Sequence, residues 1–187
     1  VFFFFLSGTG MSAIAQYLAG IGKVVSGSDR YFVESEINDT RSKLEAEGIQ
    51  CFSQNGQGVK EDIDLVVVST AVEDTVPEVQ KAKKLNIPII KRSELLAMIA
   101  RSKKTIAVGG TSGKSTTSAM LFQIMEQAGL QPSIISGAGL VSIIKEARPD
   151  GSVGPGKIGN AKVGSGDWLI IEADESDGSI VQYEPEI

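Results

Sequence analysis

The 187 residues are 42% hydrophobic and 22% charged, which is typical of a soluble globular protein of one or two domains. The net charge of −5, with scattered basic residues, excludes the basic footprint of a nucleic-acid-binding surface. No histidine is present, so these residues supply no imidazole base or ligand.

The first half alternates short apolar runs with helical patterns, beginning at an apolar N-terminus, "VFFFFL", that is too short to span a membrane. Strands are predicted at 1–6, 23–26, 49–52, 64–69 and 88–90, and helices at 11–19, 35–47, 76–85 and 93–100. Gly48 is expected to end the second helix and Ser93 to cap the last one. The alternation favours a parallel sheet with crossover helices, hence an α/β fold. Cys51, in an apolar run, is predicted to be a buried, inert thiol in a reducing cytoplasm.

The polar stretch "RSKK" (101–104) predicts a boundary between two domains, 1–101 and 102–187. Strand 105–108, a glycine loop and helix 115–128 follow it. Residues 150–166 are rich in glycine without a period and are predicted to form a mobile loop. "DWLIIEADESDGS" indicates a strand that runs into an acidic turn. The helix is expected to bury one apolar face in the core, made of Met120, Leu121, Ile124, Met125 and Ala128.

The first glycine turn, "GTGMSA" (8–13), fits the pattern G-x-G-x-x-[G/A] between a strand and a helix. Backbone N–H groups and the helix dipole favour a pyrophosphate there. Asp29, about 20 residues further on, stands where a carboxylate accepts hydrogen bonds from a ribose. The turn therefore predicts a nucleotide ligand.

The second glycine turn, "GGTSGKST" (109–116), contains the Gly-Lys-Ser ending of a phosphate loop. Lys114 would neutralise the β- and γ-phosphates, and the hydroxyl of Ser115 would bind Mg²⁺. The loop departs from the usual G-x-x-x-x-G-K-[ST], since Val108 stands at the first glycine position. Strand, loop, lysine, serine and helix in this order predict an ATP or GTP site.

An acidic segment near the end of the chain, "WLIIEADESD", offers a partner for the metal ion. Glu172 ends an apolar run and would be costly to bury without a cation, so we assign it to Mg²⁺. Asp177, by contrast, is expected to be a solvated loop residue.

Taken together, these motifs resemble the Mur ligase family, ATP-dependent enzymes that add amino acids to UDP-N-acetylmuramate during peptidoglycan synthesis. The resemblance extends over almost the whole chain. "SGSD" with "EADESDGS" is similar to the branch that adds L-alanine, and the near neighbour attaches a recycled murein peptide. The segments that carry it are "SGTGMSAIA", "VSGSD", "VVSTAVEDTVPEV", "AVGGTSGKSTT" and "GSGDWLIIEADESDGS".

The resemblance implies a Rossmann-like UDP-sugar domain followed by the start of a P-loop ATPase-type domain. The amide would form through an acyl phosphate, with ATP and Mg²⁺ required and with Lys114 as the catalytic residue. It implies metal binding by Ser115 and Glu172. The implied UDP-sugar residues are Gly8, Thr9, Gly10, Met11, Asp29, Ser69, Thr70 and Ala71, and the implied ATP residues are Gly110, Thr111, Ser112, Gly113, Lys114, Ser115 and Thr116.

Three features depart from the family pattern. Ser112 stands where the family usually has a histidine, and Phe5 and Ser7 stand where extra glycines are common. The sequence also ends at Ile187, before the rest of the central domain and the C-terminal domain, so we expect this fragment alone to be inactive.

Two rival functions explain part of the sequence. A nicotinamide-dependent oxidoreductase accounts for the first glycine turn but leaves the second without a role. A nucleotide switch or ATP-binding module accounts for the second but not for the first. A divergent family member with another acid or amine is a third alternative.

Overall fold

A computed structural model describes residues 1–69, 74–145, 156–173 and 183–187. Within these ranges the strands form two separate sheets, one of five strands and one of four. The predicted α/β fold class is confirmed.

The first sheet is entirely parallel, with the strand order β3-β2-β1-β4-β5. The chain moves outward from β1 in one direction and then returns to β4 on the other side, so the order reverses between β1 and β4. Open parallel sheets bind ligands at the carboxyl ends of the strands beside such a reversal. Its elements are β1 (Phe2–Phe4), α1 (Thr9–Gly20), β2 (Ser26–Asp29), α2 (Asp39–Ala46), β3 (Gln50–Ser53), β4 (Val66–Val68), α3 (Pro77–Lys84), β5 (Ile89–Lys91) and α4 (Arg92–Arg101).

The second sheet has the order β6-β9-β7-β8, with β8 antiparallel to β7 and the other pairs parallel. Residues 183–187 return to the outer edge of β6, where the Ala107 N–H donates to the Ile187 carbonyl at 3.0 Å. The elements are β6 (Lys104–Val108), α5 (Lys114–Gln127), β7 (Ser133–Ile135), α6 (Val141–Ile144), β8 (Ala161–Lys162) and β9 (Trp168–Glu172).

Helix α1 joins the two sheets into one hydrophobic core. Every residue from Met11 to Leu18 is buried, as expected for a helix covered on more than one side. Its apolar side chains share a cluster with Phe3 and Val67 of the first sheet and with Ile135 and Leu169 of the second. The carboxyl ends of the two sheets are therefore held next to each other.

The local predictions at β2 and at the start of α4 were wrong. Strand β2 lies three residues later than predicted, because the polar sequence "SGSD" is buried while Val24 is 83% exposed. Gly27 permits this burial, since a Cβ there would lie 2.6 Å from the Phe3 carbonyl. Ser93 does not cap α4: it is buried inside the first turn, and the Glu94 carboxylate accepts the Lys91 N–H instead.

The buried face of α5 also differs from the prediction. Ser118, Phe122 and Met125 are buried, whereas Met120 and Ile124 are 54% and 64% exposed. The helix has several apolar residues around its circumference, so periodicity alone does not select the face that packs against the sheet.

Residues 156–166 are not a simple loop as predicted, because they include β8 and the buried Asn160. Glycine is required there by close packing: a Cβ at Gly164 would lie 2.1 Å from the Gln131 carbonyl, and one at Gly166 would lie 2.0 Å from the Leu130 carbonyl. Residues 150–155 lie outside the described residues, as does the acidic turn after Ala173.

Candidate active site

The first glycine turn connects β1 to α1 at the reversal point of the first sheet. Gly8 is the N-cap of α1, and no side chain caps the helix. The first helical bond runs from the Ser12 N–H to the Gly8 carbonyl at 2.8 Å. The N–H groups of the first turn of α1 thus remain available to an anion.

Phe5 adopts a left-handed conformation in this turn, with φ of 61°. A side chain is disfavoured in that region of backbone space, and glycine adopts it freely. The departure from the family pattern at this position is therefore a strained one. The Phe5 ring packs against that of Phe4, with their centroids 4.1 Å apart.

Asp29 holds the first glycine turn in place through hydrogen bonds to Ser7. One of its oxygens accepts hydrogen bonds from the Ser7 N–H at 2.9 Å and the Ser7 hydroxyl at 2.6 Å, and the other accepts the Tyr31 N–H. Its side chain is buried and does not line the cleft described below. Ser7, at the second departure from the family pattern, is thus the residue that ties the turn to β2.

The second glycine turn connects β6 to α5. Gly110 and Gly113 have φ of 134° and 81°, conformations in which a side chain would be strained. Gly113 is the N-cap of α5, again without a capping side chain. The Lys114 ammonium donates to the Gly110 carbonyl at 2.7 Å, so the lysine lies across its own loop.

Glu172, at the end of the central strand β9, accepts hydrogen bonds from three groups on two neighbouring segments. The Ser115 hydroxyl donates to one carboxylate oxygen at 2.9 Å. The Ser136 hydroxyl and the Gly137 N–H donate to the other at 2.5 and 2.9 Å. These bonds bring the start of α5 and the end of β7 to the same carboxylate.

The donor set around Glu172 fits Mg²⁺. It consists of hard oxygen atoms, a carboxylate with two hydroxyls, and Mg²⁺ in phosphate sites commonly binds one or two carboxylates, phosphate oxygens and water. Within the described ranges, no group of three or more His, Cys, Asp or Glu residues that could hold a metal ion occurs.

A cleft of about 360 Å³ lies between the two sheets, and it is lined by the first glycine turn and by Lys114 from the end of the second. Its size is at the lower end of the range for small-molecule sites. The residues that line it are Gly8, Thr9, Gly10, Met11, Ile14, Ser69, Arg92, Leu96, Lys114, Ile135, Ser136, Gly137 and Glu172.

The cleft contains only some of the residues named from the sequence. Residues 8–11, Ser69, Lys114 and Glu172 line it, whereas residues 110–113, Ser115 and Thr116 lie outside its lining. Thr70 and Ala71 fall outside the described residues.

Sequence reasoning missed Arg92, Ser136 and Gly137 in this cleft. Arg92 packs closely on the first glycine turn: a Cβ at Gly10 would lie 3.2 Å from its Nη1 atom. All three residues lie within two positions of the end of a strand, β5 or β7, and that position was the signal available in the sequence.

Among the helices of the described residues, none has the length and apolar character needed to cross a membrane. The Cys51 thiol is buried as predicted, and burial is the main reason that its pKa rises to about 12.

The two sheets define an α/β protein whose first sheet is Rossmann-like. The family model described as "Mur ligase family, catalytic domain" matches residues 3–104. The chain therefore belongs to the Mur ligase family.

Curated relatives match almost the entire chain. The UDP-N-acetylmuramate–L-alanine ligase of Syntrophomonas wolfei is 40% identical over 183 residues, which are 97% of this chain and 35% of the relative. That of Carboxydothermus hydrogenoformans is 42% identical over 186 residues, 99% of this chain and 36% of the relative. The chain thus spans about a third of the length of these relatives.

Solved structures have the same fold. The UDP-N-acetylmuramate–alanine ligase of Thermotoga maritima superimposes with a TM-score of 0.81 at 28% identity, covering 98% of this chain and 39% of that one. A murein peptide ligase from Psychrobacter arcticus gives a TM-score of 0.74 at 24% identity, covering 98% of this chain and 41% of that one. The similarity to the Psychrobacter arcticus protein is evidence for a shared fold only.

Proposed function

We propose that these residues form the UDP-sugar site and part of the ATP site of an enzyme that joins UDP-N-acetylmuramate to L-alanine in peptidoglycan synthesis. The observation that carries the proposal is the shared cleft, in which the first glycine turn faces Lys114 and Glu172. A reaction between a nucleotide-linked acid and a triphosphate needs such an arrangement. The names of the curated relatives support the choice of substrates.

In this proposal the first half holds the UDP-sugar. The open N–H groups of residues 9–11, in the first turn of α1, bind its pyrophosphate, and Arg92 adds a positive charge on the same side of the cleft. Ser69 extends the site at the end of β4. Thr70 and Ala71 lie outside the described residues, and their assignment to the UDP-sugar rests on the resemblance alone. Asp29 acts through Ser7 by fixing the shape of the turn.

ATP is assigned to the second half. Residues 110–113 wrap the phosphates with their N–H groups, and Ser115 and Thr116 continue the cradle into α5. Lys114 leaves the Gly110 carbonyl and neutralises charge on the β- and γ-phosphates. Ser112, which stands where the family has a histidine, still offers the backbone N–H that a phosphate loop requires.

Ser115 and Glu172 are the residues that would hold Mg²⁺, with Ser136 beside them. When bound, the metal supplies positive charge to the phosphate oxygens. Ser136 and Gly137 orient the Glu172 carboxylate before any ligand arrives.

The chemistry proposed for the whole enzyme has two steps. An oxygen of the lactyl carboxylate attacks the γ-phosphorus of ATP, the bond to the bridging oxygen breaks and ADP departs, leaving an acyl phosphate. The amine of L-alanine then attacks the acyl carbon, inorganic phosphate leaves and the nitrogen loses a proton. The described residues contribute by alignment and by neutralising charge, chiefly through Lys114.

Two broader assignments accompany this one. We place the domain boundary at residues 101/102, in line with the separate sheets on either side. We place the reaction in the cytoplasm, because ATP is its phosphoryl donor.

Calorimetric titration of the purified full-length protein with UDP-N-acetylmuramate, ATP with Mg²⁺, and NAD tests the two sites. Heat from the first two and none from NAD is expected. Binding of NAD without a response to the UDP-sugar would favour an oxidoreductase, and binding of ATP alone would favour a nucleotide switch.

A phosphate-release assay then identifies the amine. The full-length protein is supplied with ATP, Mg²⁺ and UDP-N-acetylmuramate, and with either L-alanine or a murein peptide. Release that depends on L-alanine is expected, whereas release only with the peptide would assign the protein to the recycling branch.

A further inference from the structure

Asn160 occupies a buried position between the two halves of the chain. It lies just before β8 and is 1% exposed. It follows Gly159, whose φ of 81° suits glycine and turns the chain toward α1. A polar residue this deeply buried is expected to have all of its hydrogen-bonding groups satisfied.

The Asn160 side chain is bonded entirely to α1. Its amide nitrogen donates to the Thr9 carbonyl at 2.8 Å and to the Ser12 hydroxyl at 3.1 Å. Its amide oxygen accepts from the Gln16 side chain at 2.6 Å. These three bonds attach it to the beginning of the helix that carries the first glycine turn.

The Asn160 backbone is bonded to the other side of the cleft. Its carbonyl accepts the Ser136 N–H at 2.8 Å, and the Ser136 hydroxyl donates to Glu172 at 2.5 Å. Asn160 therefore connects the first glycine turn to the Glu172 carboxylate: its side chain bonds to α1, and its backbone bonds to Ser136, which donates to Glu172.

Apolar packing also holds α1 against β8, but it lacks the direction that alignment needs. A Cβ at Gly20 would lie 2.7 Å from Val163, so the two segments are in close contact. Hydrophobic contact is non-directional and tolerates small shifts, whereas a satisfied buried polar network selects one arrangement.

We propose that Asn160 is a positioning residue that sets the alignment of the first glycine turn relative to Glu172. It touches neither substrate, and its consequence for the reaction rests on the function proposed above. The bound acid and the γ-phosphate must meet within about 3 Å, and a displacement of about 1 Å lowers the rate about 100-fold. Loss of Asn160 should therefore lower kcat and leave the separate affinity for each substrate unchanged.

The test compares Asn160→Asp and Asn160→Ala with the original residue in the full-length protein. Asn160→Asp has the same shape and keeps an acceptor for Gln16, but it has no donor for Thr9 or Ser12. Asn55→Asp is the matched control, since the amide oxygen of exposed Asn55 accepts the Gln57 N–H and, among the described residues, the Asn55 side chain makes no other hydrogen bond.

The first readout is a distance that does not depend on any substrate. Nitroxide labels are attached to cysteines introduced by Lys84→Cys in α3 and Gln123→Cys in α5. Pulsed electron paramagnetic resonance then measures the distance between the labels, which reports the separation of the two halves. The buried Cys51 thiol should not compete for the label. A single narrow distribution is expected for the original residue and for Asn55→Asp, and a broader or shifted one for both Asn160 variants. An unchanged distribution in those variants would overturn the proposal.

The second readout separates kcat from binding. We expect kcat to fall by about 100-fold in the Asn160 variants, with dissociation constants for UDP-N-acetylmuramate and for ATP within a factor of about three of the original. An unchanged kcat, or affinities that collapse together with kcat, would also overturn the proposal. If the distance changes while the original protein neither binds nor joins these substrates, the proposed function fails and the alignment role stands.

If circular dichroism shows that the Asn160 variants do not fold, the same two measurements are made on Gln16→Leu. This change removes one bond to Asn160 and leaves its two donor bonds in place. A partial broadening is then expected, and an unchanged distance with unchanged kcat would refute the proposal.

Discussion

Replacement of Lys114 by alanine separates a catalytic role of this lysine from a structural one. Within the part of the chain that the structure describes, the Lys114 side chain makes one hydrogen bond, to the Gly110 carbonyl at 2.7 Å, and Lys114 is half-buried at the first position of α5. A bond to a charged group contributes about 1.5–3 kcal/mol when well shielded, and partial exposure reduces this to about 1 kcal/mol or less. Alanine is also a good helix former.

The free energy of unfolding should therefore change by no more than about 1 kcal/mol in Lys114→Ala. The loss of activity should be far larger, because a cation aligned with a transferring phosphoryl group contributes a factor of about 10³ or more. A factor of 10³ corresponds to about 4 kcal/mol in the activation free energy. The increase in the activation free energy should thus exceed the loss in the free energy of unfolding by several kcal/mol.

The assay uses the full-length protein, with phosphate release followed at saturating substrates and unfolding followed in urea. Lys84→Ala is the control, since Lys84 lies on the exposed surface of α3. It should retain full activity. Activity of Lys114→Ala within about tenfold of the original would refute the assignment of Lys114, and equal losses of stability and activity would make the residue structural.

Three further predictions test other parts of the structure. Glu172→Gln keeps an acceptor for the Gly137 N–H but loses the charge, so the Mg²⁺ concentration needed for half-maximal activity should rise at least about tenfold; Glu126→Gln, which only weakens a 3.4 Å ion pair, should leave it unchanged. Phe122→Ala should lower the free energy of unfolding in urea by about 3–5 kcal/mol, and Ile124→Ala by less than about 0.5 kcal/mol. Equal losses in the free energy of unfolding for the two variants would support the helix face predicted from the sequence. Cys51, whose pKa is about 12, should react with a thiol reagent at pH 8 only after unfolding, and rapid labelling of the native protein would contradict its burial.

Much of the candidate site could be named from the sequence because each glycine turn is formed by residues that are close together in the chain. A glycine turn between a strand and a helix presents N–H groups whatever surrounds it, and the sequence around Lys114 specifies such a turn by itself. Glu172 could also be named from the sequence, since a carboxylate at the end of an apolar run is conspicuous, and the structure places it in the lining of the cleft. Arg92 and Ser136 were missed because each is an ordinary residue until the sheets place it in the cleft.

Burial was the property that local patterns predicted least well. The strand predicted from the sequence ended at the first residue of the polar stretch "SGSD", yet this stretch forms an interior strand because Glu78 and Ser7 satisfy its polar groups from distant parts of the chain. On α5, apolar residues occur on more than one side, and only the position of the second sheet decides that Phe122 is covered and Ile124 is not.

By itself, therefore, the sequence determined the alternation of strands and helices, the two glycine turns and the family to which they belong, because these depend on residues close together in the chain. Only the tertiary structure decided that the first glycine turn lines the same cleft as Lys114 and Glu172, and that Asn160 connects this turn to Ser136, which donates to Glu172. Hydrogen bonds between residues some 150 positions apart, such as that from Asn160 to Thr9, leave no periodic signal in either segment.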